Sequence, residues 1–287
     1  MAEQPGIPAD TAPRPFPELF RIDGRVALVT GGAGLLGRRH CEVLVEAGGN
    51  VAIGDLDGQR AEALARELGP ERALGLALNV GDERSVQAAV DRSVQRFGSL
   101  DILVNNAALT VRGGSEQFAD YFAPFERYRR DLWDLALAVN LTGMMLCAQA
   151  AGRQMLKQGK GVIVNISSTY GVVAPDQRLY EGVKSPYAEA GFNTPVSYAV
   201  TKTAVLGLTR YLATYWGRQN IRVNALTPHG VYDNHDETFV RSFAYRSPLG
   251  RMARDDEYRG ALLFLVSDAS SYMTGANLIV DGGWTAW

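Results

Sequence analysis

Short apolar runs alternate with stretches of helical periodicity along most of this chain. The runs, such as RVALVT and GVIVNIS, are nearly continuous in hydrophobic residues, which is typical of strands that helices cover on both faces. A repeated strand-then-helix order produces a parallel sheet between two helical layers. The 287 residues contain neither an internal repeat nor a linker-like segment. The sequence therefore predicts a single α/β domain with a doubly wound parallel sheet.

Composition narrows the functional classes. The first 20 residues contain five prolines and no apolar core of a secretory signal, so we expect a flexible arm at 1–20 and a folded domain at 21–287. A net charge of -2 gives no basic footprint for nucleic acid. Two cysteines and three histidines lie scattered, which disfavours disulfides and a metal site. The longest apolar run, about ALLFLV, is short for a membrane span. We expect a soluble cytoplasmic protein.

The segment TGGAGLLG links the first apolar run to a helical pattern, with Gly31, Gly34 and Gly37 three residues apart. A glycine triplet between a strand and a helix is typical of dinucleotide binding. The first glycine permits a tight turn, the second lets the backbone approach a pyrophosphate, and the third lets the helix pack closely. The helix N-terminus offers N–H groups to the phosphates. A Rossmann-type nucleotide site is therefore predicted.

The second apolar run ends in Asp55, 18 residues after Gly37. A carboxylate at this position accepts hydrogen bonds from the adenosine ribose and repels a 2′-phosphate. Leu56 follows it, and no basic residue lies inside the glycine turn, so we expect NAD rather than NADP. Arg38 and Arg39 leave NADP as an alternative, because they could bind a 2′-phosphate. The other interpretation is that they lie on the solvent face of the helix.

The segment SYAVTKTAV places Tyr198 and Lys202 four residues apart, on one face of a helix. An ammonium beside a phenol lowers the pKa of the phenol, which can then exchange a proton with an alcohol or a carbonyl. Tyr180 and Lys184 have the same spacing, but a glycine lies between them and a proline follows, and both oppose a helix. Tyr198 and Lys202 are therefore the favoured pair.

Seven motifs together resemble the short-chain dehydrogenase/reductase family. In chain order they are TGGAGLLG, NNAA (105–108), VNLTG (139–143), VNISS (164–168), YAVTK (198–202), IRVNALTP (221–228) and DGGW (281–284). They cover about residues 22–287. The resemblance implies an enzyme that interconverts a secondary alcohol and a ketone with a nicotinamide cofactor.

The resemblance also implies roles for individual residues. Tyr198 is the general acid and base, and Lys202 binds the nicotinamide ribose and lowers the pKa of the tyrosine. Ser168 hydrogen-bonds the substrate oxygen, whereas Ser167 is a backbone partner. Asn140 holds a helix backbone and a water of a proton relay.

The implied cofactor contacts lie after successive strands. Asn106 sits against the cofactor at a strand end, and Asn79 takes the place of an Asp near the adenine. The full predicted set is Gly31, Gly34, Leu35, Leu36, Gly37, Asp55, Leu56, Asn79, Val80, Asn106, Ala107, Tyr198, Lys202, Pro228 and Val231.

The chain departs from the family pattern at Ala108 and His229, each in place of a usual glycine. His229 either contacts substrate or cofactor, or faces solvent. Ser168 and Tyr198 are 30 residues apart, which exceeds the usual gap. We therefore expect substrate loops at about 109–130, 171–196 and 229–250 over the nicotinamide end. Their polar and aromatic residues favour a hydroxylated substrate: Arg112, Glu116, Tyr180, Glu181, Lys184 and Tyr187.

The segments FAPFERY, LWDLALAVNLTG and LYEG are similar to short-chain dehydrogenases encoded with flagellin-glycan and nonulosonic-acid sugar pathways. This similarity implies a sugar, a sugar derivative or a polyol as substrate. One alternative is a nucleotide-sugar epimerase or dehydratase. The glycine spacing favours this class, but the class needs a C-terminal substrate domain, which we do not expect here. A non-catalytic NAD-binding protein is another, disfavoured by the four proton-transfer candidates. The family resemblance implies that the helices around 132–156 and 198–216 form subunit interfaces, so we expect a homotetramer or a homodimer.

Overall fold

The computed structural model describes residues 13–109, 120–183 and 193–287. Within these ranges, seven parallel strands form one sheet in the order β3-β2-β1-β4-β5-β6-β7. The strands are β1 Val26–Thr30, β2 Asn50–Asp55, β3 Ala73–Ala77, β4 Ile102–Asn105, β5 Gly161–Ile166, β6 Ile221–Pro228 and β7 Asn277–Val280. The predicted doubly wound α/β fold is confirmed.

Helices cover both faces of the sheet. They are α1 Leu35–Glu46, α2 Gly58–Leu68, α3 Glu83–Phe97, α4 Arg130–Leu137, α5 Gly143–Gln158, α6 Val196–Trp216, α7 Glu237–Arg246 and α8 Arg259–Val266. Successive strand residues point to opposite faces. Val26 and Leu28 therefore pack with α3, α5 and α6, while Ala27 and Val29 pack with α1, α2 and α8. This two-sided burial explains why the apolar runs are continuous.

The strand order reverses beside β1, which pairs with β2 on one side and β4 on the other. In open α/β sheets, a crevice forms at such a reversal, outside the carboxyl ends of the strands. The glycine turn follows β1 at this edge. The fold thus brings the turn next to the ends of β2 and β4.

The helical stretch Arg130–Gln158 runs through α4, a π-helical turn at Ala138–Thr142, and α5. Within the described residues, it is the one helix long and apolar enough to cross a membrane by length and composition. Half of its most apolar window is buried in the protein, and Cys147, Ala151 and Met155 pack in the core. Buried helices of other proteins are often as long and as apolar as this one, and the packing of this stretch is that of a core helix.

The described part of the expected arm begins at residue 13. Phe16–Phe20 form a 3-10 helix, and Arg14 donates to the Asp268 carboxylate at 2.6 Å. The flexibility of the arm and the domain boundary at residue 21 stay predictions. The third expected loop, 229–250, is partly helical rather than irregular. Its helix α7 begins after Asp236, whose side chain caps the first N–H groups.

The roles of the three expected loops as substrate loops stay predictions. Two segments of them, 110–119 and 184–192, lie outside the described residues. The predicted loop residues in those segments are Arg112, Glu116, Lys184 and Tyr187.

Helix α1 contains a histidine that makes stability depend on pH. His40 is 1% exposed, and within the described part of the chain neither ring nitrogen has a hydrogen-bond partner. Burial lowers the pKa of His40 from 6.5 to about 4. The unfolded chain therefore binds this proton between those pH values while the folded chain does not, so stability falls as the pH falls through this window. The loss of unfolding free energy amounts to about 3 kcal/mol once the pH has fallen below the pKa of the folded protein.

We expect His40→Leu to reduce the loss of unfolding free energy as the pH falls from about 6.5 towards 4, while buried His229, which carries a similar shift, still contributes to that loss. Urea unfolding at a series of pH values measures this loss. His235→Gln, at an exposed histidine, is the matched control and should keep the wild-type slope. An unchanged slope in His40→Leu would contradict the assignment.

Candidate active site

The glycine turn after β1 is compact. Gly31 has a φ of +61°, and a Cβ there would lie 2.9 Å from the Cα of Ala107. A Cβ on Gly37 would lie 2.1 Å from the carbonyl oxygen of Gly31. Both positions therefore require glycine, one for its conformation and one for close packing of the helix on the turn.

Helix α1 begins at Leu35 after Gly34, which provides no side-chain cap, and its first turn contains no acidic residue. The first N–H groups of a helix have no partner within the helix and carry a partial positive charge. An uncapped terminus behind a glycine turn fits the pyrophosphate of a dinucleotide. Leu35, Leu36 and Gly37 would supply the N–H groups.

Hydrogen bonds from the end of β4 fasten the turn. Asn106 Nδ2 donates to the carbonyl oxygens of Thr30 and Gly31, both at 3.0 Å. Thr30 Oγ1 accepts from the backbone N–H groups of Asn106 and Ala107, also at 3.0 Å. Asn106 thus positions the turn, and its direct contact with a cofactor stays a prediction. The bridging role of Thr30 was not predicted.

Asp55, at the end of β2, faces the same turn. Its Oδ2 accepts from Ala33 N at 3.0 Å, and its Oδ1 accepts from Asp57 N at 3.1 Å. Arg60 donates to the Ala33 carbonyl oxygen at 2.8 Å, which places a cation beside the turn where the adenosine ribose is predicted to bind. Sequence reasoning missed Arg60, because it lies on α2 and not in the glycine turn.

The two arginines that kept NADP open are held by acidic side chains. Arg38 pairs with Glu67, and also with Glu42 at 3.0 Å. Arg39 pairs with Asp255 and Glu42, both at 2.8 Å. These ion pairs occupy both guanidinium groups on the flank of α1.

The remaining predicted cofactor contacts follow the carboxyl ends of the strands. Leu56 is 78% exposed. The exposed Asn79 accepts from Gly81 N at 3.0 Å through its amide oxygen. Val80 is buried, Pro228 ends β6, and Val231 bridges to Ala253. These residues share the edge of the sheet that carries the glycine turn.

The proton-transfer candidates converge at the end of β5. Lys202 lies one turn after Tyr198 on α6 and is 2% exposed. Its Nζ donates to the Ile166 carbonyl oxygen at 2.8 Å and lies 5.7 Å from the centroid of the Tyr198 ring. Ser168 is buried just beyond β5, and its side chain hydrogen-bonds Tyr198. A serine, a tyrosine and a lysine therefore meet at one point.

The two serines after β5 have different partners. Ser167 Oγ donates to the Lys202 carbonyl oxygen at 2.9 Å, which confirms that Ser167 is a backbone partner. Ser168 Oγ accepts from Tyr170 N at 3.2 Å. The catalytic role of Ser168 stays a prediction, supported by its bond to Tyr198.

Burial dominates the ionisation of this pair. Burial raises the pKa of Tyr198, and the hydrogen bond with Ser168 offsets part of that rise. Burial lowers the pKa of Lys202 to about 8. In this structure burial sets the direction of the Tyr198 pKa shift, and the lowering of that pKa by Lys202 stays a prediction.

Asn140 lies in the π-helical turn between α4 and α5, a type of turn frequent at functional sites. Its Oδ1 accepts from Leu109 N at 2.7 Å, and its Nδ2 donates to Thr201 Oγ1 at 3.2 Å. The expected helix-backbone partner is therefore wrong. Asn140 instead joins the loop after β4 to the helix that carries Tyr198.

The competing pair is not held on a helix. Tyr180 ends a 3-10 turn, and Gly182 follows it with a φ of +73°. The Tyr180 hydroxyl bonds Thr194 Oγ1 at 2.8 Å. Lys184 lies outside the described residues. The geometry favours Tyr198 and Lys202.

His229 does not face solvent, so that alternative is wrong. It is 9% exposed, and burial lowers its pKa to about 4. Its ring centroid lies 4.3 Å from that of Trp284, 4.8 Å from Phe243 and 5.6 Å from Tyr170. Nothing in the motif alone indicated these partners, which come from distant segments.

The glycine turn and the Ser-Tyr-Lys group lie on the same edge of the sheet. This combination is typical of oxidoreductases that use a nicotinamide cofactor to interconvert alcohols and ketones. A family model described as enoyl-(acyl carrier protein) reductase matches residues 33–285. The chain is 37% identical over 276 residues to D-threitol dehydrogenase of Mycolicibacterium smegmatis, covering 93% of this chain and 95% of that protein.

Two further likenesses agree. Trans-4-hydroxycyclohexanecarboxylate dehydrogenase of Sinomonas cyclohexanicum is 39% identical over 274 residues, covering 93% of this chain and 95% of that protein. The crystal structure of a gluconate 5-dehydrogenase from Burkholderia cenocepacia, in complex with NADP and tartrate, is 33% identical. It superposes with a TM-score of 0.81 over 94% of this chain and 99% of that chain. This chain belongs to the short-chain dehydrogenase/reductase family.

Removing the Tyr198 hydroxyl tests the proton-transfer assignment. We expect Tyr198→Phe to lower kcat on the order of 100-fold or more, because the variant has no proton to exchange. Fluorescence titration should give an NADH affinity close to that of the wild type. Tyr272→Phe, at a fully exposed tyrosine, is the matched control and should keep full activity. Full activity in Tyr198→Phe would refute the assignment.

Proposed function

We propose that this protein is an NAD-dependent dehydrogenase that interconverts a secondary alcohol and a ketone on a polyol, a sugar or a sugar derivative. The observation that carries the proposal is the convergence of Ser168, Tyr198 and Lys202 at the end of β5. This point lies along the same sheet edge as the glycine turn.

The residues divide the proton chemistry among them. In the oxidation direction, the Ser168 hydroxyl holds the substrate oxygen while Tyr198 takes the hydroxyl proton. In reduction, Tyr198 returns a proton to the carbonyl oxygen. Lys202 places a buried ammonium beside the phenol and so favours its charged form. The bound nicotinamide cofactor accepts or supplies the hydride.

Asn140 supports this arrangement from a distance. It holds Thr201, whose hydroxyl donates to the backbone of Tyr198 and Ser197. These contacts fix the first turn of α6 against the loop that follows β4. The Tyr198 hydroxyl then has a defined position relative to Ser168.

Asp55 supports the choice of NAD, because a carboxylate beside the adenosine ribose repels a 2′-phosphate. Arg60 acts in the opposite sense, since its guanidinium lies next to the same turn. The NADP complex of the gluconate 5-dehydrogenase makes NADP the competing cofactor to test. We give Asp55 more weight than Arg60, because its carboxylate accepts a hydrogen bond from the backbone of the turn.

The relatives support a hydroxylated substrate. One is named for a sugar alcohol and another for a sugar acid. The more specific resemblance to dehydrogenases of flagellin-glycan and nonulosonic-acid pathways stays a prediction. Relatives named for hydroxysteroids, 36% identical to this chain, make a steroid alcohol the contrasting substrate in the assay.

We also propose a homotetramer or homodimer in the cytoplasm that binds neither nucleic acid nor membrane. The outer faces of α5 and α6 support the assembly. Their large apolar side chains are exposed: Met145, Leu156, Val200, Tyr211 and Tyr215. Exposed apolar faces of this kind are typical of subunit interfaces.

The decisive experiment supplies the purified protein with NAD+ or NADP+ and a panel of polyols, sugars, amino sugars, nucleotide sugars and a hydroxysteroid. We expect reduced cofactor from at least one polyol or sugar, with kcat/KM about tenfold or more higher for NAD+. The absorbance of the reduced nicotinamide measures it.

Three outcomes would contradict the proposal. Turnover of the steroid alone would overturn the substrate class. An isomerised sugar without net reduced cofactor would favour an epimerase. Binding of NADH without turnover of any alcohol would favour a non-catalytic protein.

A further inference from the structure

His229 directly follows the last residue of β6, at the sheet edge where β5 also ends. Its ring contacts that of Tyr170, which is two residues after Ser168. Burial raises the pKa of the Tyr170 phenol, and the charge of Tyr198 contributes to that rise. Tyr170 N also donates to Ser168 Oγ at 3.2 Å, so Tyr170 links the His229 ring to the predicted catalytic serine.

The His229 imidazole is enclosed but incompletely hydrogen-bonded. Its Nε2 is fully buried and has no hydrogen-bond partner among the residues that the structure describes. Its backbone is fixed, because the Tyr258 hydroxyl donates to its carbonyl oxygen at 2.8 Å. Buried polar atoms in native proteins are nearly always hydrogen-bonded, to protein, water or ligand. An enclosed ring nitrogen at this edge of the sheet therefore calls for a partner.

Aromatic rings pack against this imidazole, and the charge of Asp281 also acts on it. Phe243 and Trp284 stack on each other with centroids 4.8 Å apart and both contact the His229 ring. Arg246 lies 5.6 Å over the Trp284 ring and forms an ion pair with Asp176. Helix α7, the C-terminal segment and the loop after β5 are thereby joined around one side chain.

The lowered pKa of His229 keeps the imidazole neutral at neutral pH. A neutral imidazole has one donor and one acceptor nitrogen, and a hydroxyl, which both donates and accepts, can pair with either of them. If the hydroxyl belongs to the substrate, it is not the one that reacts, because Ser168 and Tyr198 hold that oxygen in the proposed function.

We propose that His229 is a specificity residue that hydrogen-bonds a second hydroxyl of the substrate, on a carbon beside the one oxidised, and so selects vicinal diols and polyols over simple secondary alcohols. This rests on the proposed function. A site built to hydrogen-bond a hydroxyl discriminates against an analogue that lacks it, because the buried polar atom is then left unpaired.

The experiment compares two substrates in three proteins. The substrates are butane-2,3-diol and butan-2-ol, which differ by one neighbouring hydroxyl. The proteins are the wild type, His229→Phe, which keeps an aromatic ring, and His229→Gln, which keeps a polar group. The values of kcat and KM are measured with saturating NAD+, and the NADH affinity and Tm are recorded for each protein.

We expect His229→Phe to lower kcat/KM for the diol by about 10- to 100-fold, mainly through KM, and to change the value for butan-2-ol by less than about threefold. His229→Gln should recover part of the preference for the diol. Equal losses on both alcohols, or a lowered Tm with an unchanged ratio, would assign His229 to packing and overturn the proposal. Absence of turnover of any alcohol by the wild type would overturn the proposed function itself.

Discussion

The hydrogen bond from Lys202 Nζ to the carbonyl of Ile166 joins the catalytic helix to the end of the central strand β5. Ser167 completes the connection, since its hydroxyl donates to the backbone of the same lysine. These two hydrogen bonds hold Lys202 at the end of β5 and thereby fix the position of α6 along the sheet. Tyr198, one turn earlier, then meets Ser168. Burying an ammonium is costly, and the lowered pKa of Lys202 reflects that cost.

A buried polar chain supports this junction from inside the domain. Asn105 Nδ2 donates to Asn165 Oδ1 at 2.9 Å, and Asn165 Nδ2 donates to Thr209 Oγ1 at 3.0 Å. The chain crosses from β4 through β5 to α6, all within the core. Polar groups in such a place are directional, unlike the surrounding apolar contacts. They therefore help to set the register of β4 and β5, whose ends precede Asn106 and Ser168.

Much of the fold could be predicted from the sequence, because strands covered on both faces give uninterrupted apolar runs. The favoured tyrosine and lysine could also be selected, since helix geometry makes the spacing informative only where no glycine or proline intervenes. The missed features depend on contacts between distant segments. Arg60 reaches the turn from α2, Asn140 holds Thr201 across two helices, and His229 meets rings from two other segments. The spacing of residues along the sequence does not indicate contacts between such distant segments.

The path of the transferred hydrogen tests the central claim most directly. A polyol deuterated on the carbon that is oxidised is incubated with the protein and NAD+, and the cofactor is analysed by mass spectrometry and NMR. Hydride transfer beside Tyr198 predicts deuterium at C4 of the reduced nicotinamide, on one face of the ring. Deuterium that stays in the sugar product, or is lost to water without entering the cofactor, would contradict it.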